Sequence, residues 1–197
     1  VLVNSGSDQA KLTVTALDQN NNPVSGAAVK VVVDSGIYTP ESSTTDSKGQ
    51  ASGSVSIGGT KANRSIGVTI TVNGKVKTET ISVTGSQITF NTTPATPKPG
   101  DSITMNVDVT DTNNAGIPNA TVELGGTLGF SGSVKTAANG KATATLASAP
   151  AAGKYTVTVT AAGVVENRTI QVVDSSGSGA IPDAVGTISA AALAITP

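Results

Sequence analysis

A chain of 197 residues with no histidine, no cysteine and a net charge of −1 leaves little room for chemistry. A Ser-His-Asp triad, a Cys-His pair and ordinary zinc ligation are excluded outright. With two Phe, two Tyr and no Trp, a sugar-cleaving carboxylate pair lacks the aromatic platform it usually has, so the chain reads as non-enzymatic.

The remaining composition narrows the class. Val, Ile, Leu and Ala carry the apolar share, and Thr, Ser, Gly and Asn fill the rest, which is the make-up of an all-β chain. The near-neutral charge, without a Lys/Arg cluster, gives nucleic acid and anionic membrane little to hold. No run approaches the ~20 apolar residues of a membrane span. Absence of thiols fits a cytosolic protein and equally the surface proteins of many microbes. The start at Val1, without Met, reads as a processed or excised piece.

In chain order, VLV (1–3) is followed by LTVTALD (12–18), where Leu12, Val14 and Ala16 alternate with Thr13 and Thr15 at the period of a strand. DQNNNPVSGAAV (18–29) is a turn running into a strand. TTDSKGQASGSV (44–55) turns at Gly49, and GVTITVNGKV (67–76) is a long strand ending in an Asn-Gly turn. SQITF (86–90) then precedes ITMNVDVTD (103–111), and the series begins again. Asp18 lies over Asp111, Ala27 over Ala120 and Val29 over Val122. Gly49 lies over Gly140, Ala51 over Ala142 and Gly74 over Gly163. Small drifts in spacing are loop-length changes between two copies. No helical period persists for three turns, and turns recur every 8–15 residues, so two β-sandwiches in tandem are expected. Gly49 and Gly140 are expected in tight turns. Tyr155, aligned with Ile66, is expected to back-bond to the chain as a tyrosine corner.

The pattern Asp-x-Asn-x-x-Pro-Val-x-Gly-x-x-Val, then Thr-Asp-x-x-Gly-x-Ala, then an alternating V-T-I-T-V run, resembles the bacterial immunoglobulin-like domains of invasin- and intimin-type surface adhesins. DQNNNPVSGAAV and TDSKGQA carry it in the first copy. In the second, Gly116-Ile117-Pro118 replaces the Pro-Val step, and Ala137-Ala138 is read as replacing Thr-Asp. The resemblance covers about residues 1–174. It implies Ig-like sandwiches on a microbial surface, arranged as a stalk, without catalytic residues.

Counting strands gives a mismatch. The second copy has SQITF ahead of its second strand, whereas Val1 to Val3 are too few to form the equivalent in the first. The chain ends on AVGTISAAALAITP (184–197), a strand-like segment after the loose DSSGSGAIPD. The expected organisation is an Ig-like sandwich at 1–84 lacking most of its first strand, a second at 85–174, a flexible linker at 175–183, and a C-terminal strand at 184–197 that completes a neighbouring domain. Either the sequence is a window on a longer array cut out of register, or each molecule lends its last strand to the next. Ile188, Leu193 and Ile195 are the candidate donor residues; Leu12, Val14 and Ala16 line the candidate acceptor. The Ala-rich ISAAALA also has helix propensity, which leaves a short terminal helix open.

Two further patterns are weaker. Asp108 with Asp111, or Asp18 near Asn20 to Asn22, offers oxygens to calcium, the most plausible ion; no other cofactor is indicated. Asn63, Asn91, Asn119 and Asn167 each open an N-glycosylation acceptor triplet. The expected function is a non-enzymatic extracellular structural protein of a microbial cell surface. Its expected partners are copies of itself head-to-tail, or adjacent Ig-like domains. The alternative is an adhesin module whose pole loops recognise a glycan or a host protein, although poverty in aromatics and Arg counts against a hot spot.

Overall fold

Small aliphatic side chains alternating with Thr and Ser give each strand one face to bury, and the chain is all-β accordingly. The computed structural model describes residues 1–174. The first seven strands are β1 (Leu2–Val3), β2 (Gln9–Thr15), β3 (Val29–Val33), β4 (Ile37–Pro40), β5 (Gln50–Ser56), β6 (Arg64–Val72) and β7 (Lys75–Thr84). They form two sheets, ordered β1-β7-β6-β3 and β2-β5-β4. The next seven are β8 (Gln87–Thr93), β9 (Ile103–Thr110), β10 (Thr121–Gly126), β11 (Gly132–Lys135), β12 (Lys141–Leu146), β13 (Gly153–Ala161) and β14 (Val164–Val172). Their sheets are ordered β11-β10-β13-β14 and β12-β9-β8. Each pair of sheets closes on its own apolar cluster, one around Val55, Ile66 and Val68, the other around Met105, Val107 and Val157. The architecture is therefore two Ig-like sandwiches in tandem. No helix among the described residues is long and apolar enough to cross a membrane.

The repeat in sequence is a repeat in hydrogen bonds. Asp18 Oδ1 accepts the amides of Asn20 and Asn22, and Asp111 Oδ1 those of Asn113 and Ala115, so each carboxylate ties its own turn. Thr45 Oγ1 accepts the Ala27 amide and donates to the Val24 carbonyl. Thr136 Oγ1 does the same with Ala120 and Ile117. That equivalence corrects the alignment by one residue: Thr136 keeps the threonine, and only the aspartate, Asp46, is replaced, by Ala137. Gly49 and Gly140 sit at φ of 72° and 77°, each with no room for a Cβ against backbone atoms, as turn glycines. Tyr155 Oη donates to the Ala151 carbonyl at 2.9 Å, the expected back-bond.

The sandwiches meet end to end, joined by Gly85 and Ser86. Asn4, fully buried, donates from Nδ2 to the Lys61 carbonyl and to Ser86 Oγ, while its Oδ1 accepts the Thr112 amide and hydroxyl. Lys61 Nζ pairs with Asp111 Oδ2, and the Asn63 amide donates to the Ala162 carbonyl. The first sandwich thus contributes the pole where β7 ends, and the second the pole carrying its Asp111 turn and its β13–β14 hairpin. The equivalent pole of the first sandwich, with Asp18 and the Asn73–Gly74 hairpin, faces away from the joint.

Candidate interaction edge

Strand β9 shows what strand β2 lacks. In the second sandwich β9 lies between β12 and β8, with Ile88 opposite Val109 and Phe90 opposite Val107. Arg168 on β14 closes the seam from the other sheet, its guanidinium 5.2 Å from the Phe90 ring centre. Beneath that cover Met105, Val107 and Val109 are 0 %, 1 % and 0 % exposed. In the first sandwich β2 pairs with β5 alone, and no strand lies on its other side among the described residues. The registers of the two copies (Val14 opposite Ala51, Val107 opposite Ala142) make Leu12, Val14 and Ala16 the counterparts of Met105, Val107 and Val109. All three are only half-buried.

Leu12, Val14 and Ala16 therefore stand together, side by side, on the floor of an open groove of about 720 Å³. Ile70 and Val72 of β6 form its far wall, and Lys11, Lys75, Lys77 and Glu79 its rim. The amide and carbonyl groups of an edge strand are a template for a further strand, and the apolar floor gives such a strand a face to bury. Val1 to Val3 are not a remnant of that missing cover. Leu2 and Val3 pair in parallel with Val83 and Thr84 on the opposite sheet. Their counterpart is the segment around Pro97, whose carbonyl accepts the Val173 amide. In the second sandwich the chain passes from β8, paired with β9, to Pro97, bonded to Val173 beyond β14, so the two halves of that segment serve opposite sheets. The donor residues Ile188, Leu193 and Ile195, and the whole of 175–197, lie outside the described residues.

The other candidates are placed as follows. Asp18 is exposed, and the amides of Asn22 and Asn20, with the Asn22 side chain, hold its carboxyl below the usual range. Burial pushes the Asp111 carboxyl up, but Lys61 and the amides of Ala115 and Asn113 outweigh it and leave the carboxyl lowered. Asp108 pairs with Lys141 at 2.6 Å. These oxygens serve turns and ion pairs, and among the described residues no three metal-ligating side chains stand together. Asn91, Asn119 and Asn167 are exposed. Asn63 is half-buried in the joint, where its Oδ1 accepts the Ser86 amide. Of the residues that build the joint, Asn4 and Lys61 carry no local pattern and Asn63 carries only the acceptor triplet; they meet their partners across as many as 108 positions of sequence.

Two β-sandwiches end to end, each knotted by the same Asp turn and Thr clasp, define a tandem Ig-like protein. Residues 2–86 match the sequence profile of the bacterial Ig-like domain (group 1), which agrees with the resemblance carried by DQNNNPVSGAAV and TDSKGQA. No curated protein matches the chain by sequence. Among solved structures, the Yersinia pseudotuberculosis adhesin InvE is 21 % identical, with a TM-score of 0.54 over 85 % of this chain and 55 % of that one. Invasin, a bacterial integrin-binding protein, is 20 % identical, with a TM-score of 0.43 over 87 % and 37 %. The Escherichia coli adhesin FdeC is 18 % identical, with a TM-score of 0.41 over 88 % and 60 %. The likeness to InvE is one of fold, and this chain spans about half the length of that structure.

Proposed function

We propose that the chain is a non-enzymatic structural module of a bacterial cell surface, a tandem Ig-like stalk or filament subunit that joins its copies head-to-tail by strand addition at β2. The observation that supports this most is the contrast between Leu12, Val14 and Ala16, half-bare on an unpaired edge, and Met105, Val107 and Val109, buried under β8. The polar joint between the sandwiches suits a load-bearing rod, because it fixes one sandwich on the next through buried hydrogen bonds rather than a slippery apolar contact. The donor is the segment 184–197, which carries Ile188, Leu193 and Ile195. Each aliphatic side chain moved from water into the groove contributes ~1.5–3 kcal/mol, and the backbone ladder adds to it. The module sits outside the cell, where its ends meet other copies.

Negative-stain microscopy and light scattering on the purified chain, with and without residues 184–197, test this. Fibres or head-to-tail oligomers from the full chain and a monomer from the truncated one are expected. A truncated chain that still polymerises overturns the donor; a full chain that stays monomeric at high concentration overturns the filament.

A further inference from the structure

We infer that the segment 2–4 is a tension latch for the joint: a pull along the chain shears β1 from β7 and draws the Asn4 carboxamide out. The rod is then hinged at Gly85 and Ser86 while both cores stay folded. This rests on the stalk part of the reading above, since a stalk is pulled along its length, and it does not depend on strand addition at β2.

The Asn4 carboxamide is saturated. An amide side chain offers two N–H donors and two acceptor lone pairs, and all four are used here. Nδ2 donates to the Lys61 carbonyl at 2.8 Å and to Ser86 Oγ at 3.0 Å, and Oδ1 accepts the Thr112 amide and hydroxyl, each at 2.9 Å. One fully buried side chain thereby ties the first sandwich, the linker and the second sandwich together. Its backbone is held by β1: Leu2 and Val3 pair with Val83 and Thr84, and the Asn4 amide donates to the Thr84 carbonyl at 2.9 Å. Leu2 is buried in the first core cluster with Ile57 and Val83, so the latch has an apolar anchor and a polar bolt. Once Asn4 leaves, the Thr112 amide and the Lys61 carbonyl turn to water. The Lys61–Asp111 pair and the Asn63–Ala162 backbone bond still span the joint. The Lys61 side chain is already 32 % exposed, so solvent and salt screen that pair.

The load path follows from strand direction. β1 and β7 run parallel, and β7 leads into Gly85 and the second sandwich. Tension entering at Val1 crosses to β7 at two residue pairs and leaves through Gly85, without loading the rest of the first sandwich. A parallel pair pulled from the start of one strand and the end of the other is sheared, and its ladder bonds are loaded together. Thr112 belongs to the second sandwich, so the same pull loads its bonds to Asn4, and latch and joint yield in one step. β1 is the weak element on this path. It has two pairs, against nine between β6 and β7 and seven between β2 and β5. Bonds sheared together yield where the fewest share the load, so β1 slips while the cores hold. The slack it frees is residues 1–8, after which β2 takes the pull at Gln9.

Two measurements on the full chain test this. In single-molecule pulling with handles at its two ends, a first event that lengthens the chain by about 25 Å, eight residues at ~3.3 Å each, is expected before either sandwich unfolds. Asn4→Ala should at least halve the force of that event. The parallel register sets Val3 opposite Thr84, within disulfide reach, and the chain has no cysteine of its own. The double variant Val3→Cys with Thr84→Cys should lose the event when oxidised and regain it when reduced. By hydrogen exchange at rest, the Asn4 and Thr112 amides, 108 positions apart, should exchange at one common rate, because a single slip exposes both. Oxidising the double variant should slow both at least tenfold. A first event that unfolds a whole sandwich, an early event that persists in the oxidised variant, or a Thr112 amide indifferent to Asn4→Ala overturns the latch and leaves strand addition untouched. A chain that shows the early event but forms no fibres under the microscope keeps the latch and overturns only the filament.

Discussion

Lys61 Nζ meets Asp111 Oδ2 at 2.5 Å across the joint of the two sandwiches, and the Asp111 side chain is 2 % exposed. The carboxyl is held below its ordinary range, because the Lys61 ammonium and the amides of Ala115 and Asn113 outweigh its burial. A lowered native value means the stabilisation is present above the unfolded value of about 3.9 and is lost as pH falls through the native one. The joint should therefore hold at neutral pH and weaken only in acid below the usual carboxylate range. Lys61→Met leaves a buried charge held by amides alone and should cost about 1–3 kcal/mol at neutral pH, with a smaller loss at pH 3. Urea unfolding at the two pH values measures this; an equal loss at both would show that the pair does not act through charge.

Gly85 links the sandwiches at φ of 117°, and a Cβ there would meet Thr112 Oγ1 and Asn4 Oδ1 at distances no side chain tolerates. Gly85→Ala should break the Asn4–Thr112 contacts while leaving both cores intact. Small-angle scattering should then report a bent or broadened distribution of shapes, with far-UV circular dichroism unchanged. Unfolding of either sandwich would place the strain elsewhere.

Thr45 and Thr136 each clasp a turn through one donated and one accepted bond, and both are buried, at 4 % and 2 % exposure. A Val has the same shape and neither bond, so Thr45→Val and Thr136→Val should each cost about 1–3 kcal/mol in their own sandwich. Thr→Ser should recover most of the loss at either site. Calorimetry of the single variants checks this, and the two losses should fall on different transitions.

These clasps also show what can be read from the sequence. Alternation along Leu12, Val14 and Ala16, and the recurrence of Asp18 at Asp111, Gly49 at Gly140 and Gly74 at Gly163, are local or periodic, and they carry the sandwich, its repeat and its turns. Counting strands before residue 12 against SQITF leads to the expectation of an open edge, and among the described residues β2 pairs with β5 alone. Thr45 and Thr136 stand at the same spacing as Gly49 and Gly140, but nothing in the local sequence marks a threonine whose hydroxyl both accepts and donates across a turn. Asn4, Lys61 and Asn63 escaped because the joint brings together residues far apart in sequence, with no repeat to flag them.

Ala162 sits at φ of 48° beside Gly163, where the first sandwich has Asn73 at 47° beside Gly74. The left-handed region costs Ala about 1–2 kcal/mol, and Asn enters it more readily because its side chain bonds locally. Ala162→Asn should stabilise the second sandwich by about 0.5–1 kcal/mol, and Asn73→Ala should destabilise the first by a similar amount. Thermal midpoints read both. The Asn63–Ala162 bond uses backbone atoms only and should survive the change.

The open edge predicts its own repair. Copying residues 86–95 ahead of Val1 would supply a strand that reaches β2 from the free pole and continues into Leu2 and Val3, as β8 continues into Pro97. Ile and Phe would then cover Ala16 and Val14. Each contributes ~1.5–3 kcal/mol when buried, and 1 kcal/mol raises the midpoint of a sandwich this size by about 4–8 °C. The first transition should rise by at least about 5 °C while the second stays in place. The same variant should lose head-to-tail assembly, because its groove is filled from its own chain. A first sandwich whose midpoint does not move would mean that Leu12, Val14 and Ala16 gain nothing from a strand beside them, and β2 would then be an edge built to stay open.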